Sequence, residues 1–133
     1  VALGQFYQEQ GRWADALELW KHLLEKHPTI AEAHLGLALS LERSGSMRES
    51  SSAYLRALDL APDDAEVYDG LERVYRSLHR EEELRQKLLD RSFRDSLNPL
   101  LFSRLGLLER ALGYLEESKA HLEQAAKLEQ ANK

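Results

Sequence analysis

A period of 34 residues constrains this chain more than any single residue does. Gly11 and Gly45 lie 34 positions apart, Gly113 follows 68 later, and Pro28 and Pro62 repeat at the same interval. Leu3, Leu37, Leu71 and Leu105 share one phase. Trp20, Tyr54, Leu88 and Leu122 share a second that always holds a large apolar residue, and Gly4, Ala38 and Gly106 share a third that holds a small one. A fixed period of this length marks an array of supersecondary units, each with an apolar face it cannot bury alone, so that neighbours stack into one continuous core.

Local signals divide each period into two helices. Gly11 and Gly45 can take the left-handed conformation that ends a helix, and Trp13, Ala16, Leu17, Trp20, Leu23 and Leu24 recur at helical spacing after the first of them. Thr29 with Glu32 predicts a capping box, Asp63 with Glu66 repeats it, and Asn98 before Pro99 predicts a third helix start. Leu35, Leu37, Leu39 and Leu41 alternate as a strand would, but the flanking caps and Gly45 decide for a helix that is apolar on two faces. Leu37, Ala38 and Leu41 are then core residues, while Leu35 and Leu39 face a concave surface or a neighbour. The third unit departs most: His79 replaces the turn glycine, Leu84 and Arg91 replace small residues, and Glu72 occupies the small-residue phase, where a carboxylate is costly unless paired or able to reach water. Leu84, Leu88, Leu89, Phe93 and Leu97 still predict a long helix there.

The run Leu3, Gly4, Tyr7, Gly11, Ala16, Trp20, Pro28, then Leu37, Ala38, Gly45, Tyr54, Ala57, Pro62, and later Phe102, Leu105, Gly106, Gly113, Leu122, Ala125 resembles the tetratricopeptide repeat family. The resemblance implies an all-α fold, a right-handed superhelical solenoid of antiparallel helix hairpins. It divides a single domain over 1–133 into a truncated unit 1–30, then 31–64, a degenerate 65–98, and 99–132. The first helix of each hairpin would line a concave groove that holds another protein or a peptide. Carried over by register, the lining is Gln5, Gln8 and Glu9; Glu32, Leu35, Leu39, Glu42 and Arg43; Glu66, Asp69, Arg73, Arg76 and Ser77; and Leu100, Ser103, Leu107 and Arg110. Gln5, Leu35, Leu39, Glu42, Arg43, Asp69, Arg73, Arg76, Ser103, Leu107 and Arg110 are the expected partner-binding set. Leu35 and Leu39 beside Arg73 and Arg76 would suit an apolar anchor next to an acidic group. Some family members clasp a chaperone's C-terminal carboxylate with Lys, Asn and Arg. Those positions hold Val1, Gln5, Gly36, Glu66 and Gly70 here, or Leu35, Leu39, Gly70, Leu100 and Arg104 one repeat on, so the clamp is missing.

Other classes find little support. A net charge of −5 with interspersed charges argues against a phosphate-tracking nucleic-acid surface. No run approaches the roughly 18 apolar residues of a membrane span. The absence of cysteine removes disulfides, thiolate metal sites and cysteine nucleophiles, and is compatible with the cytoplasm or with a cysteine-free exported protein. His22, His27, His34, His79 and His121 form no metal pattern; His34 reads as a packed core residue, and Ser50, Ser51 and Ser52 as polar helix surface. Neither cofactor nor enzyme activity is expected. Val1 falls inside a helix of the first unit, which suggests a piece of a longer protein. The alternatives to groove binding are a spacer or self-assembling segment, with homo-oligomers, and a substrate-recognition arm of an enzyme outside this segment.

Overall fold

The computed structural model describes residues 2–132. Every regular element among them is α-helical: α1 (Ala2–Glu9), α2 (Trp13–Lys26), α3 (Ala31–Arg43), α4 (Met47–Leu60), α5 (Ala65–Ser77), α6 (Glu81–Arg94), α7 (Pro99–Leu112) and α8 (Leu115–Ala131). Val1, expected inside the first helix, lies outside the described residues. The chain forms two compact units, Val1–Leu78 and His79–Lys133. In the first, α1 to α5 each pack on the next, with α1 beside α3 and α3 beside α5; in the second, α6 packs on α7 and α7 on α8. No helix among the described residues is long and apolar enough to cross a membrane.

The period sets how helices meet. In the first unit Ala16, Trp20 and Ala33 are buried together, with Tyr7, Leu23, Leu24, Ile30 and Leu37 packed against them. The Trp20 indole fits between two glycines: a Cβ on Gly4 would stand 2.4 Å from it and one on Gly36 2.3 Å. One period later a Cβ on Gly70 would stand 2.2 Å from the Tyr54 ring. The aromatic residues of α2 and α4 therefore need a hole in the first helix that follows. Gly36 and Gly70, 34 apart, supply it at the cost of roughly 1 kcal/mol of helix propensity each.

The small-residue phase has its own reason. Ser50 Oγ donates to the Ala38 carbonyl at 2.7 Å, and Ser118 Oγ donates to the Gly106 carbonyl at the same distance. Both serines are buried, so the expectation that Ser50 belongs to the helix surface is corrected: its hydroxyl lies in the hairpin crossing and is satisfied there. Ser51 and Ser52 do point outward, towards the Arg48 carbonyl.

Helix starts fall one residue later than Thr29 and Asp63 predict. The caps are Ile30, Asp64 and Asn98. Asp64 accepts from the Glu66 N–H, and Asn98 accepts from the N–H groups of Leu100 and Leu101. Ile30 offers no side-chain cap and packs on the Trp20 cluster instead, so α3 trades a cap for burial. His34 is half-buried rather than a core residue. Its Nε2–H donates to the Pro28 carbonyl at 2.8 Å, as the Tyr68 hydroxyl does to Pro62 at the same distance. Of the apolar set expected on one long helix, Leu84 and Leu88 are buried on the same face of α6 as Ser92, whereas Phe93 is 80% exposed, and Leu97, 75% exposed, lies in the turn after the helix ends at Arg94. His79 takes the left-handed backbone (φ 56°) that glycine holds at positions 11, 45 and 113.

Candidate functional site

The first helices of the first unit present two adjoining hollows. The larger, about 260 Å³, is lined by Leu35 and Leu39 of α3, Tyr54 of α4, and Glu66, Asp69 and Arg73 of α5. The smaller, about 100 Å³, is lined by Gln5 and Gln8 of α1, Trp20 of α2, Glu32, Leu35, Gly36 and Leu39 of α3, and Glu66. Leu35, Leu39 and Glu66 are common to both, so the two read as one groove. Leu35 and Leu39 are half-buried. They stand one helical turn apart, which gives the groove an apolar floor between polar walls.

Fixed hydrogen bonds hold the walls. Gln8 Nε2 donates to the Gly36 carbonyl at 2.9 Å and to Ser40 Oγ at 3.0 Å, locking α1 to α3. Gln5 Nε2 donates to Glu32 Oε1 at 2.8 Å. On the other side Arg73 donates through Nε to Glu42 Oε2 at 2.9 Å and through a terminal nitrogen to Glu42 Oε1 at 3.1 Å, a two-pronged pair. The Tyr54 hydroxyl donates to the same carboxylate at 2.6 Å. Burial alone would raise the pKa of Glu42, but the bonds from Arg73 and Tyr54 outweigh it and hold the carboxyl below the ordinary glutamate range. Burial, reinforced by the bond to Glu42, pushes the Tyr54 hydroxyl well up, so it stays a donor.

The expected binding set divides on this geometry. Gln5, Leu35, Leu39, Asp69 and Arg73 line the hollows. Glu42 is a strut, its side chain only 10% exposed and its oxygens taken by Arg73 and Tyr54. Arg43 turns towards α2, its guanidinium 5.9 Å from the Trp13 ring centroid, and Arg76 is exposed but lines neither hollow. Ser103, Leu107 and Arg110 belong to the second unit. There Ser103 is half-buried, Leu107 is 41% exposed, and Arg110 borders a separate apolar concavity of about 420 Å³ with Leu115, Ser118, Lys119, Leu122, Glu123 and Ala126.

Sequence reasoning missed Trp20, Tyr54 and Gly36, assigning the two aromatics to the core alone. The signal was present: Gly36 and Gly70 recur at the repeat interval in mid-helix, which marks where an aromatic ring comes close to the groove-lining helix. Trp20 is 1% exposed, and its Nε1–H has no hydrogen-bond partner among the described residues.

The second unit carries a polar centre of a different kind. Glu109 is fully buried; Arg85 Nε donates to its Oε2 at 3.1 Å and His121 Nδ1 meets its Oε1. Arg85 also lies 3.7 Å from the Tyr114 ring centroid and bonds Glu82, to which the Tyr114 hydroxyl donates at 2.9 Å. No group of three or more His, Asp or Glu among the described residues could hold a metal ion.

Comparison with known proteins agrees with the repeat. Two tetratricopeptide repeat models match, one over residues 1–65 and the other over 101–132. A cellulose synthase operon protein C from Pseudomonas fluorescens (strain SBW25) is 30% identical over 87 residues, 65% of this chain. The chain spans only 7% of that relative's length. Among solved structures, MamA superposes with a TM-score of 0.65 at 22% identity, covering 99% of this chain and 77% of MamA. A MamA segment from Desulfovibrio magneticus RS-1 gives 0.61 at 16% identity, covering 96% and 72% respectively.

Proposed function

Since the chain belongs to the tetratricopeptide repeat family and serves as a protein-interaction module, we propose that its binding surface is the groove of α1, α3 and α5, and that it takes an extended peptide or a partner's protruding segment. The observation that carries this reading is the pair Leu35 and Leu39. Both are half-buried, at the floor of a hollow whose walls are fixed by the bonds from Gln8 and Arg73. A preformed wall lowers the ordering cost of binding, and an apolar floor with polar walls is the usual make-up of a peptide site.

The test is a peptide-display selection against the protein and against Leu35→Glu, Leu39→Glu, with helicity and melting measured for both. Groove binding predicts peptides enriched on the parent protein and lost on the double variant. The same peptides on both proteins, or no enrichment on either, would remove the groove from consideration.

A further inference from the structure

The charge of the groove reverses what the sequence alone suggests about its ligand. The expectation of an acidic group rested on Arg73 and Arg76. Arg73 is spent on Glu42, which holds it with both oxygens, and Arg76 lines neither hollow. Arg73 is the one cation among the described lining residues, and it arrives already neutralised. Glu32 and Glu66 remain on the walls, both exposed.

A second feature points into the same place. Trp20 lines the smaller hollow, and its Nε1–H is buried with no acceptor among the described residues. Gly36 covers it so closely that a Cβ there would lie 2.7 Å from Nε1. The Gly36 carbonyl accepts from Gln8 and not from the indole. A buried donor left without an acceptor costs about 1–3 kcal/mol, so a ligand oxygen delivered there is rewarded. The hollow is thus bordered by one unsatisfied buried donor, next to Gly36, and by carboxylate acceptors at its rim.

We propose that the occupant is a basic peptide segment. One of its oxygens, a main-chain carbonyl or a side-chain carboxamide, accepts from Trp20 Nε1–H. A neighbouring Lys or Arg lays its aliphatic stem on Leu35 and Leu39 and brings its charged head to Glu66 and Glu32. The stem suits the apolar floor because long basic side chains bury their methylenes while the head stays at the wet rim. This rests on the groove reading above and narrows it to one class of partner.

The same display selection, read for composition, is the first test, and binding is then measured with the best-enriched peptide and with versions of it carrying Glu or Gln for each Lys or Arg. The basic peptide should bind tightest and weaken as salt rises, since the attraction is screened. Glu66→Gln should cost about three- to fivefold in affinity, the size of one exposed ion pair, with melting unchanged. In ¹⁵N-labelled protein the Trp20 indole N–H resonance should move on titration while that of Trp13 stays still. Enrichment of acidic or neutral peptides that still need Leu35 and Leu39 would overturn this proposal and leave the groove reading standing. A basic peptide that moves neither indole signal, or that Glu66→Gln binds equally well, would also overturn it. No Leu35- and Leu39-dependent peptide of any charge would remove both.

Discussion

Each unit contains a carboxylate held by an arginine, and the two pairs are built for different conditions. In the first unit the Glu42 side chain is 10% exposed and its Arg73 partner 48%. In the second the figures are 0% for Glu109 and 13% for Arg85. Glu109 also stands in the repeat phase of Leu41 and Tyr75, where the other units put an apolar or aromatic core residue. Water can take over part of Arg73's role at Glu42; none can at Glu109. Burial, rather than the number of hydrogen bonds, therefore decides what each arginine contributes.

Removing each arginine tests that comparison most directly. Arg85→Met leaves a buried carboxylate with His121 beside it and should destabilise the protein by about 3–5 kcal/mol. Arg73→Met leaves Glu42 with the Tyr54 hydroxyl and access to water, and should cost about 1 kcal/mol or less. Urea denaturation of the two variants measures both. Equal losses would show that the exposure difference does not matter. Restoring the core type, by adding Glu109→Leu to Arg85→Met, should recover most of the loss, because a paired buried charge is seldom more stable than well-packed apolar side chains.

The glycine contacts give a second comparison between the units. Gly70 faces the ring of Tyr54, which is 1% exposed and tied through its hydroxyl to Glu42. Gly106 faces the branch carbon of Leu122, 2.7 Å from where a Cβ would sit, with the Ser118 carbonyl 3.2 Å away, and Leu122 borders the open concavity on α8. An added methyl must displace a pinned ring in one case and a half-buried aliphatic side chain in the other. Gly70→Ala should cost about 1–3 kcal/mol. Gly106→Ala should cost less than Gly70→Ala, because Leu122 borders an open concavity into which it can shift and the roughly 1 kcal/mol gain in helix propensity offsets part of that rearrangement. Thermal melts of the pair decide it, and a stabilised Gly70→Ala would mean that the Tyr54 ring is not fixed as described.

These contrasts also mark how far the sequence could be read. The 34-residue period announced the hairpins, the turns at Gly11, Gly45 and Gly113, and the large-residue phase, because every one of these depends on local conformation or on apolar pattern. The cap at Ile30 was not legible, since an isoleucine carries no capping signal and only its place one period before Asp64 identifies it. Leu84, Leu88, Leu89, Phe93 and Leu97 read as one long helix because apolar periodicity carries no signal that the helix stops at Arg94. The groove was half legible. Leu35 and Leu39 stood out as a second apolar face, but whether Arg73 is available to a ligand depends on a contact with Glu42, 31 positions away, that no local pattern encodes.

The smallest expected effect concerns pH and follows from the same pair. Glu42 is held below its ordinary pKa of about 4.5, despite burial, by Arg73 and Tyr54. A carboxyl with a lowered folded-state pKa adds stability that is fully present above the unfolded value and is lost as pH falls through the folded one. The Glu42 contribution should therefore be constant at neutral pH and fade on acidification below about 4.5. Comparing the parent with Glu42→Gln isolates it: the gap in unfolding free energy, about 1 kcal/mol or less for a pair with one exposed partner, should be present at pH 7 and shrink at low pH. A gap that stays the same, or widens, in acid would mean that Arg73 and Tyr54 do not favour the charged form. The groove wall would then lose the neutralised Arg73 on which its preference for a basic ligand depends.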